Sequence, residues 1–378
     1  MVVELTLSDA IAFNLERHHL SERAPFETAI EVVGDIMGLN AQGALNFQIS
    51  LWNRVEKLNP DFLPKALFRD RTLVRSWLMR NTVHIIPSER LPICRGALVE
   101  SLMREWNRWT IKTGLKESPS SWEPHYSKIL DLLEDGPLSL NQMIEALSWR
   151  GQDGKRKLSR IVREMSLKGI LCHAEPSGYW HNETEHTFAR LDNWLPKQKS
   201  IEPKKAREEL LRGYLRAFGP ASPQDFAYWT GKRVRDCKPV FESLSSSLES
   251  VLLKGQRGTL YALKDDILYT ELAEEVPVVT RLLPAFDAII MGHRDKGRLI
   301  DPKDRKKIFL PYGDVSATIV LDGRVQGVWN IRKIGDRRSL KINPFRKLSE
   351  HEIDGIEDEV ERLRNFTEFE IEILWSEP

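Results

Sequence analysis

Two carboxamides stand two residues apart between glycines in Gly38-Leu39-Asn40-Ala41-Gln42-Gly43. Downstream, Leu78-Met79-Arg80-Asn81-Thr82-Val83-His84 places an arginine, a threonine and a histidine in a strand-like apolar run. A carboxamide donates and accepts hydrogen bonds but does not exchange protons near neutral pH. A site built on the first stretch would therefore work by orientation and dipole rather than by strong acid or base. Residues i and i+2 diverge around a helix and point together along an extended chain. Asn40 and Gln42 can thus act jointly only in a non-helical link, which Gly38 and Gly43 favour. The ordinary alternative is that the two amides cap or bridge neighbouring helices. His84 has a similar pair of readings, one facing a site and one as a satisfied core residue. Arg80 either serves a site or buries a salt bridge.

The elements that would carry these residues can be read along the chain. Residues 5–120 are mainly helical, with Ser8 ahead of an apolar pattern at Ile11, Phe13 and Leu15, and with Ile30, Val33, Ile36 and Met37 at helical spacing. A further helix is predicted over 45–55. Leu73 to Trp77 and Thr82 to Ile86 are β-prone and end at Pro87, a hairpin or wing. Residues 124–195 order three helices before strands at 170–173 and 179–181, with Ser139 as a cap and Leu158, Ile161, Val162 and Met165 as one buried stripe. Helix, helix, helix, strand, turn, strand is the winged-helix order. Lys155, Arg156, Lys157, Arg160 and Arg163 sit on or just before the third helix, where such units meet nucleic acid. Residues 204–264 repeat the order. Trp149, Trp180 and Trp229 fit as core or hinge anchors. After Val278 the apolar runs read as strands, with Asp322-Gly323 as a two-residue hairpin turn and one clear helix at 350–363. These runs predict a small β-barrel or curved sheet.

The expected fold is α+β, three tandem winged-helix units followed by a β-barrel-like domain. Its segments are 1–120, bearing the amide motif, 121–200, 201–275 and 276–378.

Composition bounds the rest. The 378 residues are 41 % hydrophobic and 29 % charged, an ordinary globular balance too long for one typical domain. Cys94, Cys172 and Cys237 form no CxxC and no Cys/His ligand spacing, which argues for a reducing compartment and against a disulfide frame or a structural zinc; no metal or cofactor is expected. There is no signal-like N-terminus and no apolar run near the roughly 18 residues of a membrane span, which points to the cytoplasm and away from membranes. The net charge of +1 conceals an asymmetry. Residues 292–347 hold 15 Lys/Arg against 6 Asp, and residues 348–378 hold 11 Asp/Glu against 2 Arg. A basic face for a polyanion fits this pattern, as does internal pairing of the two segments. Arg337 and Arg338 belong to the basic segment.

Gly38-Leu39-Asn40-Ala41-Gln42, Arg71-Thr72-Leu73-Val74-Arg75 and Met79-Arg80-Asn81-Thr82-Val83-His84 together resemble the AlkZ/AlkX-like winged-helix DNA glycosylases. Leu282-Leu283-Pro284-Ala285-Phe286-Asp287 with His293-Arg294-Asp295 resembles that family's late motif. The run from Val320 through Arg324 to Trp329 resembles its barrel hairpin. The resemblance extends from about residue 5 to residue 375. It implies tandem winged helices and a barrel around a DNA-binding concavity. It also implies hydrolysis of the glycosidic bond of bulky or crosslinked N-alkylpurines without base flipping. The family's catalytic Gln-apolar-Gln or Gln-apolar-Asp motif falls on Asn40-Ala41-Gln42, with Asn in place of the first Gln. On this reading Asn40 and Gln42 are catalytic. Arg80, His84, Lys155, Arg156, Lys157, Arg160, Arg163, Arg294, Arg324, Arg337 and Arg338 contact duplex DNA carrying the lesion, and the protein acts as a monomer. The competing expectations are a non-catalytic winged-helix DNA-binding protein and a winged-helix adaptor for protein partners.

Overall fold

A computed structural model describes residues 2–113, 122–149, 151–176, 186–256, 258–266, 278–334 and 337–377, which form a mixed α+β structure. The chain divides into two units. Unit 1 comprises Met1–Pro60, Leu211–Trp229 and Arg233–Pro378; unit 2 comprises Asp61–Leu210 and Thr230–Lys232.

In unit 1 the first helix, Leu7–Arg17, starts two residues earlier than Ser8 suggested. Thr6 caps it, its hydroxyl accepting from Asp9 N–H while the Asp9 carboxylate accepts from Thr6 N–H. Such a reciprocal box satisfies two donors that a helix start otherwise strands. Helices Ala29–Asp35 and Ala44–Trp52 follow. The strand Val2–Leu5 pairs in parallel with Leu248–Leu253, which pairs antiparallel with Leu260–Leu263. Trp229 is a core residue as expected, with its ring 5.1 Å from that of Tyr214.

The C-terminal part of unit 1 is a five-stranded sheet ordered Thr280–Leu283, Ala317–Leu321, Arg324–Ile334, Arg337–Pro344, Ile371–Trp375. Asp322 and Gly323 both take left-handed φ (48° and 75°), the geometry of a tight two-residue hairpin. The last strand adds in parallel, so its connection must cross over, and the helix Glu350–Thr367 does so. That helix lies close on the first strand: a Cβ at Gly355 would sit 2.7 Å from Thr280 Oγ1. The described strands at the two edges do not pair, so the expected barrel is an open sheet covered by a helix. Its core joins Leu283, Val320 and Val325 to Leu15 and Leu20 of the N-terminal segment.

In unit 2 the predicted hairpin is present as Leu73–Trp77 against Val83–Pro87. Arg75 bridges to His173, Leu171–Ala174 pairs with Thr187–Arg190, and that strand with Leu138–Ser139. The expected strand at 179–181, with Trp180, lies outside the described residues. Ser139 caps Leu140–Ala146 through a box with Gln142, as expected. The stripe Leu158, Ile161, Val162 and Met165 of the helix Gly151–Leu167 is fully buried. Trp149 is an edge partner of His125, ring centroids 5.1 Å apart. No helix among the described residues is long and apolar enough to cross a membrane.

Candidate functional site

The amide motif occupies a non-helical link between two helices, as joint action of its side chains requires, with Asn40 extended and Gln42 in a bend. Ala29–Asp35 ends in a left-handed turn at Met37 and Gly38 (φ 61° and 103°), with Gly38 N–H donating to Val33 O and Met37 N–H to Gly34 O. These bonds satisfy carbonyls that a helix end leaves open. Leu39–Asn40 is extended, Ala41 is buried, Asn40 is half-buried and Gln42 is exposed. Gly43, at φ 96°, then begins Ala44–Trp52 without any side-chain cap. Neither amide therefore caps that helix.

The two amides bond to each other instead. Gln42 N–H donates to Asn40 Oδ1 (3.0 Å), and Asn40 Nδ2 donates to Gln42 Oε1 (3.2 Å). The first bond fixes the second: the backbone N–H must face an oxygen, so the Asn40 NH2 group is the one turned toward Gln42. Asn46 Nδ2 holds the Gln42 carbonyl from one helical turn on (2.9 Å). No described residue bonds Gln42 Nε2, and Oε1 keeps a second lone pair. The arrangement presents one oriented amide, able to accept from and donate to a water or a substrate oxygen. It contains no proton-exchanging group.

The helix beneath this link is fixed at its other end by a buried polar network. Arg54 and Asp287, both with fully buried side chains, pair through Nη2–Oδ1 at 2.6 Å and Nη1–Oδ2 at 2.9 Å. Ser50 Oγ donates to Asp287 Oδ2 (2.8 Å), and Asn53 Nδ2 donates to Leu282 O (2.9 Å). Asp287 also caps Ala288–Met291 through Ile289 N–H. The LLPAFD motif therefore contributes a buried anchor for the helix carrying the amide link. Sequence reasoning missed Asn46 and Arg54. Asn46 stands one helical turn from Gln42, a visible signal; Arg54 has a partner 233 residues away, which no local pattern shows.

Asn40, Gln42, Arg294, Arg324, Arg337 and Arg338 lie in unit 1, and Arg80, His84 and the 155–163 cations in unit 2. His84, expected to contact DNA, is instead 3 % exposed with Nδ1 3.1 Å from Thr82 O. Burial, with Arg80 adding to it, pushes its pKa down to about 3, so it is a neutral core group. Arg80 is half-buried at a left-handed φ of 55°. Arg163 also departs from its expected role. It lies 4.1 Å from the Trp77 ring and 4.7 Å from the Trp106 ring, and it donates to Asn81 O (2.9 Å). Burial lowers its pKa to about 10. Arg324 donates to the Gly297 and Arg298 carbonyls, both at 2.9 Å. Lys155, Arg156 and Arg294 are exposed, and Lys157 and Arg160 half-exposed.

The basic and acidic C-terminal segments do pair in part. Arg346 meets Glu352 at 2.5 Å, Arg337 meets Glu370 at 3.5 Å, and Arg338 lies 3.7 Å from the Phe369 ring centroid. Among the described residues no cluster of His, Cys, Asp and Glu is arranged to hold a metal.

Comparison with known proteins places this geometry in context. Residues 33–366 match the family described as DNA glycosylase AlkZ-like. An interstrand DNA cross-link repair glycosylase of Streptomyces sahachiroi is 25 % identical, over 92 % of this chain and 93 % of that protein. The solved structure of the S. sahachiroi DNA glycosylase AlkZ superposes with a TM-score of 0.79 at 20 % identity, covering 98 % of this chain and 100 % of that one.

Proposed function

The chain belongs to the AlkZ-like DNA glycosylase family, and on that premise we propose that it hydrolyses the glycosidic bond of bulky or crosslinked N-alkylpurines in DNA. The observation that carries this reading is the Asn40–Gln42 amide pair, which turns one carboxamide outward from a link fixed at both ends. An N7-alkylated guanine is already cationic, so its departure needs no proton. The water oxygen bonds to C1′ as the C1′–N9 bond breaks. The electron pair returns to the base, which leaves neutral, and the water proton passes to solvent. Gln42 Oε1 accepts a hydrogen bond from the attacking water, and the Gln42 dipole faces the positive charge that develops on the sugar. Asn40 is the positioning residue that orients Gln42. A bulky or crosslinked base is costly to extrude, and a shallow exposed amide can act on it without base flipping.

The helices Pro203–Phe218, Pro223–Thr230 and Val234–Ser243 ahead of the strands Leu248–Leu253 and Leu260–Leu263 follow the order expected over 204–264, which supports reading the chain as tandem winged helices, with modules 1–120, 121–200, 201–275 and 276–378. Phosphate contact is assigned to the accessible cations Lys155, Arg156, Lys157, Arg160, Arg294, Arg337 and Arg338. The protein is read as a cytoplasmic monomer that needs no metal. The test is release of base from N7-alkylguanine duplex in the presence of EDTA, with loss of release in Gln42→Ala. Absence of abasic sites from every alkylated substrate would end the enzyme reading. One observation favours a second function. Asn40 stands where the family motif has Gln, which fits a lesion-binding protein without catalysis. Salt-sensitive duplex binding, with wild type and Gln42→Ala indistinguishable in every assay, would support that function.

A further inference from the structure

Unit 2 carries an aromatic–cation stack whose tryptophans have no part in the proposed glycosylase chemistry. The helix Leu91–Lys112 places Trp106 and Trp109 three residues apart, and Gly151–Leu167 places Arg160 and Arg163 likewise. The rings of Trp106 and Trp109 lie 5.1 Å apart at 20°. The Arg163 guanidinium is held between Trp77 and Trp106, and that of Arg160 lies 5.2 Å from the Trp109 ring. Arg160 also donates to Thr113 Oγ1 (3.3 Å). The stack begins in the core, where Trp106 is 2 % exposed, and ends in solvent, where Trp109 is 45 % exposed.

The surroundings of the exposed end are basic. Arg108, Lys112, Lys155 and Arg156 are exposed on the same two helices, with Asp153 as the exposed acid of the first turn. A half-exposed indole held rigidly from behind loses little entropy on binding, and cations around it favour a polyanion. Bases within a duplex have both faces covered by neighbours, so an aromatic platform of this kind serves an unpaired base.

We propose that Trp109 and the cations Arg108, Lys112, Lys155, Arg156 and Arg160 form a single-stranded DNA subsite, in which an unpaired base stacks on the Trp109 ring. The subsite rests on the DNA-handling part of the proposed function and not on catalysis by Gln42. Its ligand is a strand freed from pairing, as beside a lesion or at a fork.

The full-length protein is titrated into labelled oligothymidine and, separately, into an undamaged blunt duplex, with anisotropy and tryptophan fluorescence read together. Neither readout needs base release, so failure of the glycosylase assay leaves this test intact. Wild type is expected to bind the single strand with quenching of tryptophan emission. Trp109→Ala is expected to weaken single-strand binding about tenfold while leaving duplex binding within twofold or so. Trp109→Phe, which keeps a ring against Trp106, should retain most of the affinity and lose part of the quenching. Lys155→Glu with Arg156→Glu should flatten the salt dependence by about 1.4 in log–log slope. Failure of wild type to bind oligothymidine would overturn the proposal. So would equal affinity in Trp109→Ala, or equal losses in the Ala and Phe variants.

Discussion

Asn40→Ala tests the assignment of Asn40 as the residue that orients Gln42. The substitution removes the acceptor 3.0 Å from Gln42 N–H and the donor 3.2 Å from Gln42 Oε1, and it leaves the Asn46 bond to the Gln42 carbonyl in place. The backbone should therefore stay largely where it is while the side chain is released. A freed glutamine has two sp³ torsions with three wells each, or about nine rotamers, of which one is held now. Random occupation lowers the productive fraction about ninefold, roughly 1.3 kcal/mol. A residual tilt of the link, on the order of 1 Å, could raise the loss toward 10²-fold. The expected result is a fall of about 10- to 100-fold in the single-turnover rate of base release from N7-alkylguanine duplex, with duplex Kd unchanged. Gln42→Ala should cost more, about 10²- to 10³-fold, because it removes the group itself. Since Asn40 acts through Gln42, the double variant should be no slower than Gln42→Ala. Multiplying losses in the double variant would refute the positioning role. An unchanged rate in Asn40→Ala would refute it equally.

The buried pair gives a stability prediction: Asp287→Asn, which leaves the Arg54 charge without its counter-ion, should lower unfolding free energy by about 3–5 kcal/mol, read as a shift in urea midpoint at constant slope. Stability should also fall in acid. Burial holds His84 near a pKa of about 3 in the folded chain, against about 6.5 unfolded. Below pH 6.5 the unfolded chain takes up a proton that the folded chain does not. The neutral form's contribution is thus complete above that pH and declines toward pH 3, by about 2 kcal/mol at pH 5 for this residue. Buried His173, shifted the same way chiefly by desolvation, adds to the trend, and a urea midpoint that stays flat from pH 7 to 5 would contradict it. Ser139→Ala removes the cap bonded to Gln142 N–H and should cost about 1 kcal/mol, measured by thermal or urea unfolding.

What could be read in the sequence was local. Asp322-Gly323 specified its hairpin because few residue pairs tolerate two left-handed φ values, and Ser139 specified a helix start because its short hydroxyl side chain can accept from a free N–H of the first turn. The period of Leu158, Ile161, Val162 and Met165 identified a buried face without any structure. The non-helical link carrying Asn40 and Gln42 was legible for the same reason, since flanking glycines mark a break in helix. Non-local features were not. The pairing of Val2–Leu5 with Leu248–Leu253 and the Arg54–Asp287 bond join residues more than two hundred positions apart. Runs after Val278 announced strands but not closure, because an apolar period of two is the same in an open sheet and in a barrel. Arg163 and Arg324 read as free cations because charge in a sequence carries no record of the rings and carbonyls that surround it.

The discontinuity of unit 1 has a bearing on how the chain is made. The strand Val2–Leu5 leaves the ribosome well before its hydrogen-bonding partner, which ends at Leu253. At roughly 5–20 residues per second, that strand waits on the order of 10–50 seconds for its mate. Meanwhile unit 2, nearly continuous from Asp61 to Leu210, can complete its own packing. Maturation of the two units is therefore ordered in time by the genetic sequence. A slow-translated stretch placed after residue 253 would cost little, and one placed before it would prolong the exposure of an unpaired N-terminal strand.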